Sequence, residues 1–291
     1  MTDRGRLGVA IAFGSLAPIG MAMSQAAPQG TPDDNRPSFE VVSIKENRSV
    51  GGGQGMRLHP GGQLVMTNQS LRPLIVFAYG LLPQQVVGGP AWLDSTRFDI
   101  VAQAGRNIPP SPPGGPPGPA QLMLQRLLAD RFKLAVRTET REMPIYALTL
   151  ARSDQQLGPL IRPSKTDCLQ AMAAYGRGEG PMPPRDQCGL SGGAGRITAA
   201  GISLPILAKL VLSAPAGRIV EDRTGLTGTF DLQLEFTPDP VADQQSANSA
   251  PPTAQPPLFT SLEEQLGLKL QPRREPVPVL VVERAEPPTD N

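Results

Sequence analysis

Apolar residues along this chain follow two periods, and the same succession of periods occurs twice. Around Ser70 the chain reads GGQLVMTNQSLRPLIVFAYG, and 133 residues later, around Ser203, it reads AGRITAAGISLPILAKLVLS. Leu71, Leu74, Ile75, Ala78 and Tyr79 in the first stretch fall on Leu204, Leu207, Ala208, Val211 and Leu212 in the second. Both sets have the i, i+3, i+4, i+7, i+8 spacing of one buried helix face. A serine precedes each face at the N-cap, where a hydroxyl can satisfy an orphan N–H. Pro73 and Pro205 sit in the first turn, where no intrahelical bond is lost. Gly62 falls on Gly195 in the same alignment.

Past each helix the period changes from helical to alternating. Arg97–Gln103 (RFDIVAQ) and Thr229–Glu235 (TFDLQLE) alternate apolar and polar residues as half-buried strands do. A Pro/Gly-rich run follows each, Gly105 to Pro119 and Pro238 to Pro257, and reads as loop. A second helix is expected through Leu124, Leu127 and Leu128, and again through Leu258, Leu262 and Leu266. Each copy then ends in what reads as two strands around a charged turn: Lys133–Arg137 with Ile145–Leu150, and Lys269–Gln271 with Val279–Glu283. Phe39–Lys45 (FEVVSIK) is a further strand with no partner in the second copy. The glycine-rich pieces Gly51–Gly55 and Gly192–Gly195 read as flexible lead-in loops.

The fold class expected is α+β, since strands and helices mix with hairpins rather than in strict βαβ alternation. It is arranged as two tandem similar modules, each strand-helix-strand-strand, Pro/Gly linker, helix-strand-strand. Their bounds are 37–160 and 189–286, joined by a connection over 161–188. Ahead of them, Arg4 and Arg6, the apolar run Leu7 to Met23 and the small residues of Ser24-Gln25-Ala26 read as a signal peptide over 1–26, cleaved near Ala26. No cysteine follows that run to carry a lipid anchor. Location in the periplasm or outside the cell follows.

Export changes how the two cysteines are read. Cys168 and Cys188 lie in the connection, and in an oxidising compartment a disulfide is expected. Two cysteines without a nearby histidine make a poor zinc set. The net charge of +1 gives no electrostatic footprint for nucleic acid. The single histidine, His59, stands in an RLHPGG turn, and there is no S-x-x-K pair. Gly-rich segments complete neither a dinucleotide nor a P-loop fingerprint, and acidic residues are scattered or adjacent, so no cofactor, metal or catalytic residue is assigned. Trp92, the single tryptophan, is expected to close a turn over a small core. His59 and Trp92 remain the two candidates for ligand contact.

The strings FEVVSIK, NQSLRPLIVFAYGL, VVGGPAWLDSTRFDIVA, LLADRFKLAVRTETREMPIYAL, CGLSGG, VEDRTGLTGTFDLQLEFTPD and LFTSLEEQLGLKLQPRREPVPVLVVERAEPPTDN occur in one order. Together they resemble a family of exported soil-bacterial proteins of unknown function, present in many copies per genome. The resemblance runs from Phe39 to the C-terminus. It implies export and supplies no activity or catalytic residues. Some relatives resemble fusions to a membrane-embedded sensor metallopeptidase, but this chain lacks the H-E-x-x-H signature. The front half of each copy is also similar in pattern to the small periplasmic domains of secretins, which bind proteins; that likeness is an analogy. The leading expectation is a non-catalytic binding module for an envelope or extracellular protein, peptide or small ligand. A structural envelope component and a hydrolase with an unrecognised site are the alternatives.

Overall fold

The computed structural model describes residues 37–49, 51–109, 115–176, 178–193, 195–238 and 255–288. The signal peptide expected over 1–26 lies outside them, as do 110–114 and 239–254 of the two Pro/Gly runs. In chain order the first half runs β1 (Val41–Glu46), β2 (Gly55–His59), β3 (Gln63–Ser70), α1 (Leu71–Tyr79), β4 (Val86–Gly88), α2 (Trp92–Ser95), β5 (Arg97–Gln103), α3 (Pro119–Phe132) and β6 (Ala135–Leu150). The second half runs β7 (Ile161–Pro163), α4 (Cys168–Gly176), β8 (Gly189–Gly193) and β9 (Arg196–Ile202). Then come α5 (Leu204–Ile206), continued as a π-helical stretch Leu207–Leu212, β10 (Val220–Asp222) and β11 (Phe230–Glu235). It closes with α6 (Leu258–Ser261), continued by π-helical Leu262–Leu266, and β12 (Leu268–Arg284). The chain is thus mixed α+β, with twelve strands in three four-stranded sheets.

Two sheets have matching orders, β1-β5-β3-β2 and β7-β11-β9-β8, all antiparallel. Helices cover one face of each. In the first, Ile44, Leu64, Met66, Phe98 and Ile100 pack under Leu71, Leu74, Ile75 and Ala78 of α1 and Leu124, Leu128 and Phe132 of α3. In the second, Ile161, Ile197, Ala199, Phe230 and Leu232 pack under Leu204, Leu207, Ala208 and Leu212, with Leu262 and Leu266. Gly62 and Gly195 start β3 and β9 with left-handed backbones, φ +80° and +78°. A Cβ on either would meet a carbonyl, of Arg106 or of Phe236, which is why glycine stands at both.

The third sheet, order β10-β6-β12-β4, draws strands from both halves. β6 and β12 pair antiparallel from Leu268↔Leu150 to Arg284↔Ala135. β4 adds to β12 and β10 adds to β6, each in parallel, at Val86↔Leu280 and Val220↔Tyr146. As a result Leu280 and Val282 enter the first half's core, and Leu148 enters the second's. The described chain from 37 onward is one compact unit.

This sheet corrects the expected hairpins. Each helix-strand-strand ending is a helix followed by one long strand, and the charged centres, Arg137–Glu142 and Arg273–Glu275, continue the ladder instead of turning. Opposite charges along β6 stabilise that path: Arg137 and Arg141 both pair with Glu139, and Arg137 also reaches Glu283. Prolines are tolerated because of strand parity. Gln85 Nε2 donates to the Pro278 carbonyl and Tyr146 N donates to Ile219, so even-numbered residues of both strands direct their backbone groups away from the β6–β12 seam. Pro144, Pro272, Pro276 and Pro278 are all even-numbered, so no seam hydrogen bond is lost.

Four smaller expectations also change. The strand expected to lack a counterpart has one, since β7 flanks β11 as β1 flanks β5. Three residues are too short for periodicity to reveal. Gly55 opens β2, and Gly192 and Gly193 fall within β8; both strands are sheet edges rather than loops. Ser70 and Ser203 occupy N-cap positions with extended backbones but make no side-chain cap bond. Pro73 at the third helical position and Pro205 at the second remove amides that such a cap would satisfy. Finally, the second half's helix does not keep strict α register. Its π stretch absorbs one residue, so Leu212 rather than Val211 takes the fully buried place that Ala78 holds in α1.

Candidate functional site

Among the described residues, a large apolar concavity forms where the helical layer stops short of the sheet edge. Met56 and Leu58 on β2 lie opposite Met66 and Leu64, and so on the core-facing side of the sheet. Met66 and Leu64 are buried, whereas Met56 and Leu58 remain 37% and 43% exposed. Between Leu58 and the outer flank of α1 runs a groove of about 710 Å³, within the size range of small-ligand sites. Its wall is Val76, Phe77 and Leu81; Ala120 and Gln121 of α3 close one side, and Lys209 and Leu210 from the second half close another.

The α1–α3 wall is held by side chains that satisfy the carbonyls at the end of α1. Gln121 Nε2 donates to Phe77 O at 2.8 Å and Gln125 Nε2 to Ala78 O at 2.8 Å. Gln121 Oε1 in turn accepts from Gly118 N at 2.9 Å, tying off the start of α3. Gly80 ends α1 in the left-handed conformation.

Arg72 and Asp94 form the polar rim. Arg72 Nε and Nη2 donate to the Asp94 carboxylate at 2.6 and 2.9 Å. The same guanidinium donates to Val86 O and Gly88 O, so it clamps α1, α2 and β4 together. The Arg72 hydrogen bond holds the Asp94 carboxyl below its ordinary range. Four of the five Arg72 N–H donors are therefore engaged. Lys209 is half-buried, and among the described residues it makes no ion pair.

A second, smaller cleft of about 340 Å³ lies on the β7-β11-β9 sheet, with Arg162, Asp186, Thr198, Asp231 and Gln233 in its lining. Asp231 is structural here, since its carboxylate accepts from Gly201 N at 3.0 Å. Its counterpart Asp99 likewise accepts from Asn68 N at 2.8 Å. Gly201 and Asn68 both have positive φ, at irregularities of β9 and β3. Among the described residues no group of three His, Cys, Asp or Glu side chains is placed to hold a metal.

The residues singled out in the sequence are not brought together. Trp92 is half-buried, stacked on Phe132 (6.5 Å, 22°) and edge-on to Phe98 (6.4 Å), and serves the first core. His59 ends β2 at an exposed turn, with its carbonyl accepting from Gly62 N at 3.2 Å. Cys168 and Cys188 form a disulfide, Cα–Cα 5.4 Å, that lies directly over Gly201. Periodicity did not single out the groove residues. Their signal is weak: Val76 and Phe77 are apolar residues on α1 outside the face that the spacing assigns to the core.

Fold and groove together define an α+β protein with two helix-covered sheets joined by a shared third. Residues 72–285 match the protein family of unknown function DUF3738, and the chain belongs to that family. Neither a curated protein nor a solved structure matches it. Among the described residues no helix is long and apolar enough to cross a membrane.

Proposed function

We propose that the protein is an exported, non-catalytic binding module whose working surface is the groove between β2, α1 and α3. The observation that carries this reading is the groove itself: an open apolar channel of about 710 Å³ with a small polar rim. That composition suits an apolar small ligand or peptide segment. Export, with cleavage near Ala26, is supported by the charged and apolar pattern of the N-terminus and by a disulfide, which persists in oxidising compartments. The single histidine, at an exposed turn, supports the non-catalytic part. On the same reading 37–160 and 189–286 are copies of one module, joined through 161–188. The matching orders of the two outer sheets support the duplication, with β7 (Ile161–Pro163) of the connection completing the second sheet.

The test is binding of the neutral apolar fluorophore N-phenyl-1-naphthylamine. Saturable binding to one site per chain is expected, lost in Leu210→Asp, which places a charge on a groove residue that is 45% exposed and so tolerates it in the fold. Equal binding by the variant, with an unchanged circular dichroism spectrum, sinks the groove reading.

A further inference from the structure

The groove carries one uncommitted cation, and its position points to the ligand's head group. Of the charged residues that line the groove, Arg72 and Asp94 neutralise each other. Lys209 stands alone, at the junction of the groove with a smaller cavity of about 270 Å³. The acidic residues of that cavity take their hydrogen bonds from groups other than Lys209. Glu221 pairs with Arg223, and Asp222 Oδ1 accepts from both Thr224 N and Thr224 Oγ1. Lys209 makes no ion pair among the described residues, so its ammonium can take up an anion that enters the groove.

The local fold accounts for this placement. Lys209 lies in the π-helical stretch Leu207–Leu212, and in the sequence alignment of the two halves it occupies the place of Val76, which also lines the groove. The second half thus presents a cation where the first presents an isopropyl group. Apolar side chains surround the approach: Leu58, Val76, Phe77, Leu81 and Leu210. We propose that the groove binds a carboxylate amphiphile, an unbranched apolar chain ending in one carboxylate, with Lys209 Nζ as the head-group partner. This rests on the groove being the binding surface. A single ammonium matches a monoanion.

Displacement of bound N-phenyl-1-naphthylamine by decanoate and by decanol, which differ only in the head group, tests the inference. The wild-type protein is expected to release the probe at a decanoate concentration about tenfold or more below that of decanol, as a charge-assisted hydrogen bond implies. Lys209→Met should bring the two concentrations together, and Lys209→Arg should keep them apart. Equal displacement by both compounds in the wild type overturns the carboxylate inference while leaving the groove reading intact, since the probe still binds. A preference for decanoate that persists in Lys209→Met overturns the assignment of Lys209. Absence of probe binding removes the groove reading and this one with it.

Discussion

A cavity cut into the second core should be felt in the first, because the central sheet interlocks them. Leu207 is fully buried in the second core and does not line the groove. Leu207→Ala should cost about 2–5 kcal/mol. The coupling between halves is larger than that. Leu280 and Val282 from β12 sit in the first core and Leu148 from β6 in the second. At about 1.5–3 kcal/mol for each buried side chain, separating the halves forfeits roughly 5–9 kcal/mol before any β6–β12 hydrogen bond is counted. Both halves should therefore unfold together. The single tryptophan reports on the first half alone, stacked on Phe132. Thermal unfolding followed by Trp92 emission and by far-ultraviolet circular dichroism should give coincident transitions. In Leu207→Ala both should fall together by roughly 5–15 °C, taking about 2–4 °C per kcal/mol for a chain of this size. An unmoved Trp92 transition beside a shifted or split circular dichroism curve would show two independent modules and refute the reasoning.

Three further outcomes are expected. Replacing both cysteines, Cys168→Ala with Cys188→Ala, removes a cross-link closing a loop of 20 residues and should lower stability by about 3 kcal/mol in denaturant titrations, while thiol labelling of the native wild type finds no free thiol. Gly201→Ala should destabilise by more than Gly217→Ala, measured by urea midpoints: both have left-handed φ, but only at Gly201 does the new Cβ strike Cys168 Sγ, while at Gly217 it meets open space. Asp94→Asn should cost less than about 1 kcal/mol at neutral pH, because the Arg72 pair is half-exposed at its carboxylate. The folded Asp94 carboxyl titrates below its ordinary 3.8, so the pair's contribution is complete above that pH and disappears as pH falls through the lowered value; a wild-type advantage that persists in stronger acid contradicts the assignment.

What could be read from sequence was whatever neighbouring residues impose on one another. The buried face of α1 follows from the spacing of Leu71, Leu74, Ile75 and Ala78, and strand β5 from the alternation through Phe98, Ile100 and Ala102. Gly62 and Gly195 mark the starts of equivalent strands because a local left-handed turn with a close carbonyl excludes any Cβ there. Trp92 against the first core is of the same kind, since its turn leads straight into Phe98.

Tertiary structure alone decided the rest. The charged centres of β6 and β12 look like turns when read singly. They are strands because each finds the other as a partner more than a hundred residues away, and the parity that spares their prolines exists only in that pairing. Strands β4, β7 and β10 are three residues long, below what any periodicity can register, and pairing alone makes them strands. The groove is the clearest case. By alternation Met56 and Leu58 are indistinguishable from core residues; only the reach of α1 and α3 over the sheet leaves them uncovered, and only the approach of the second half brings Lys209 to the groove that Leu58 lines.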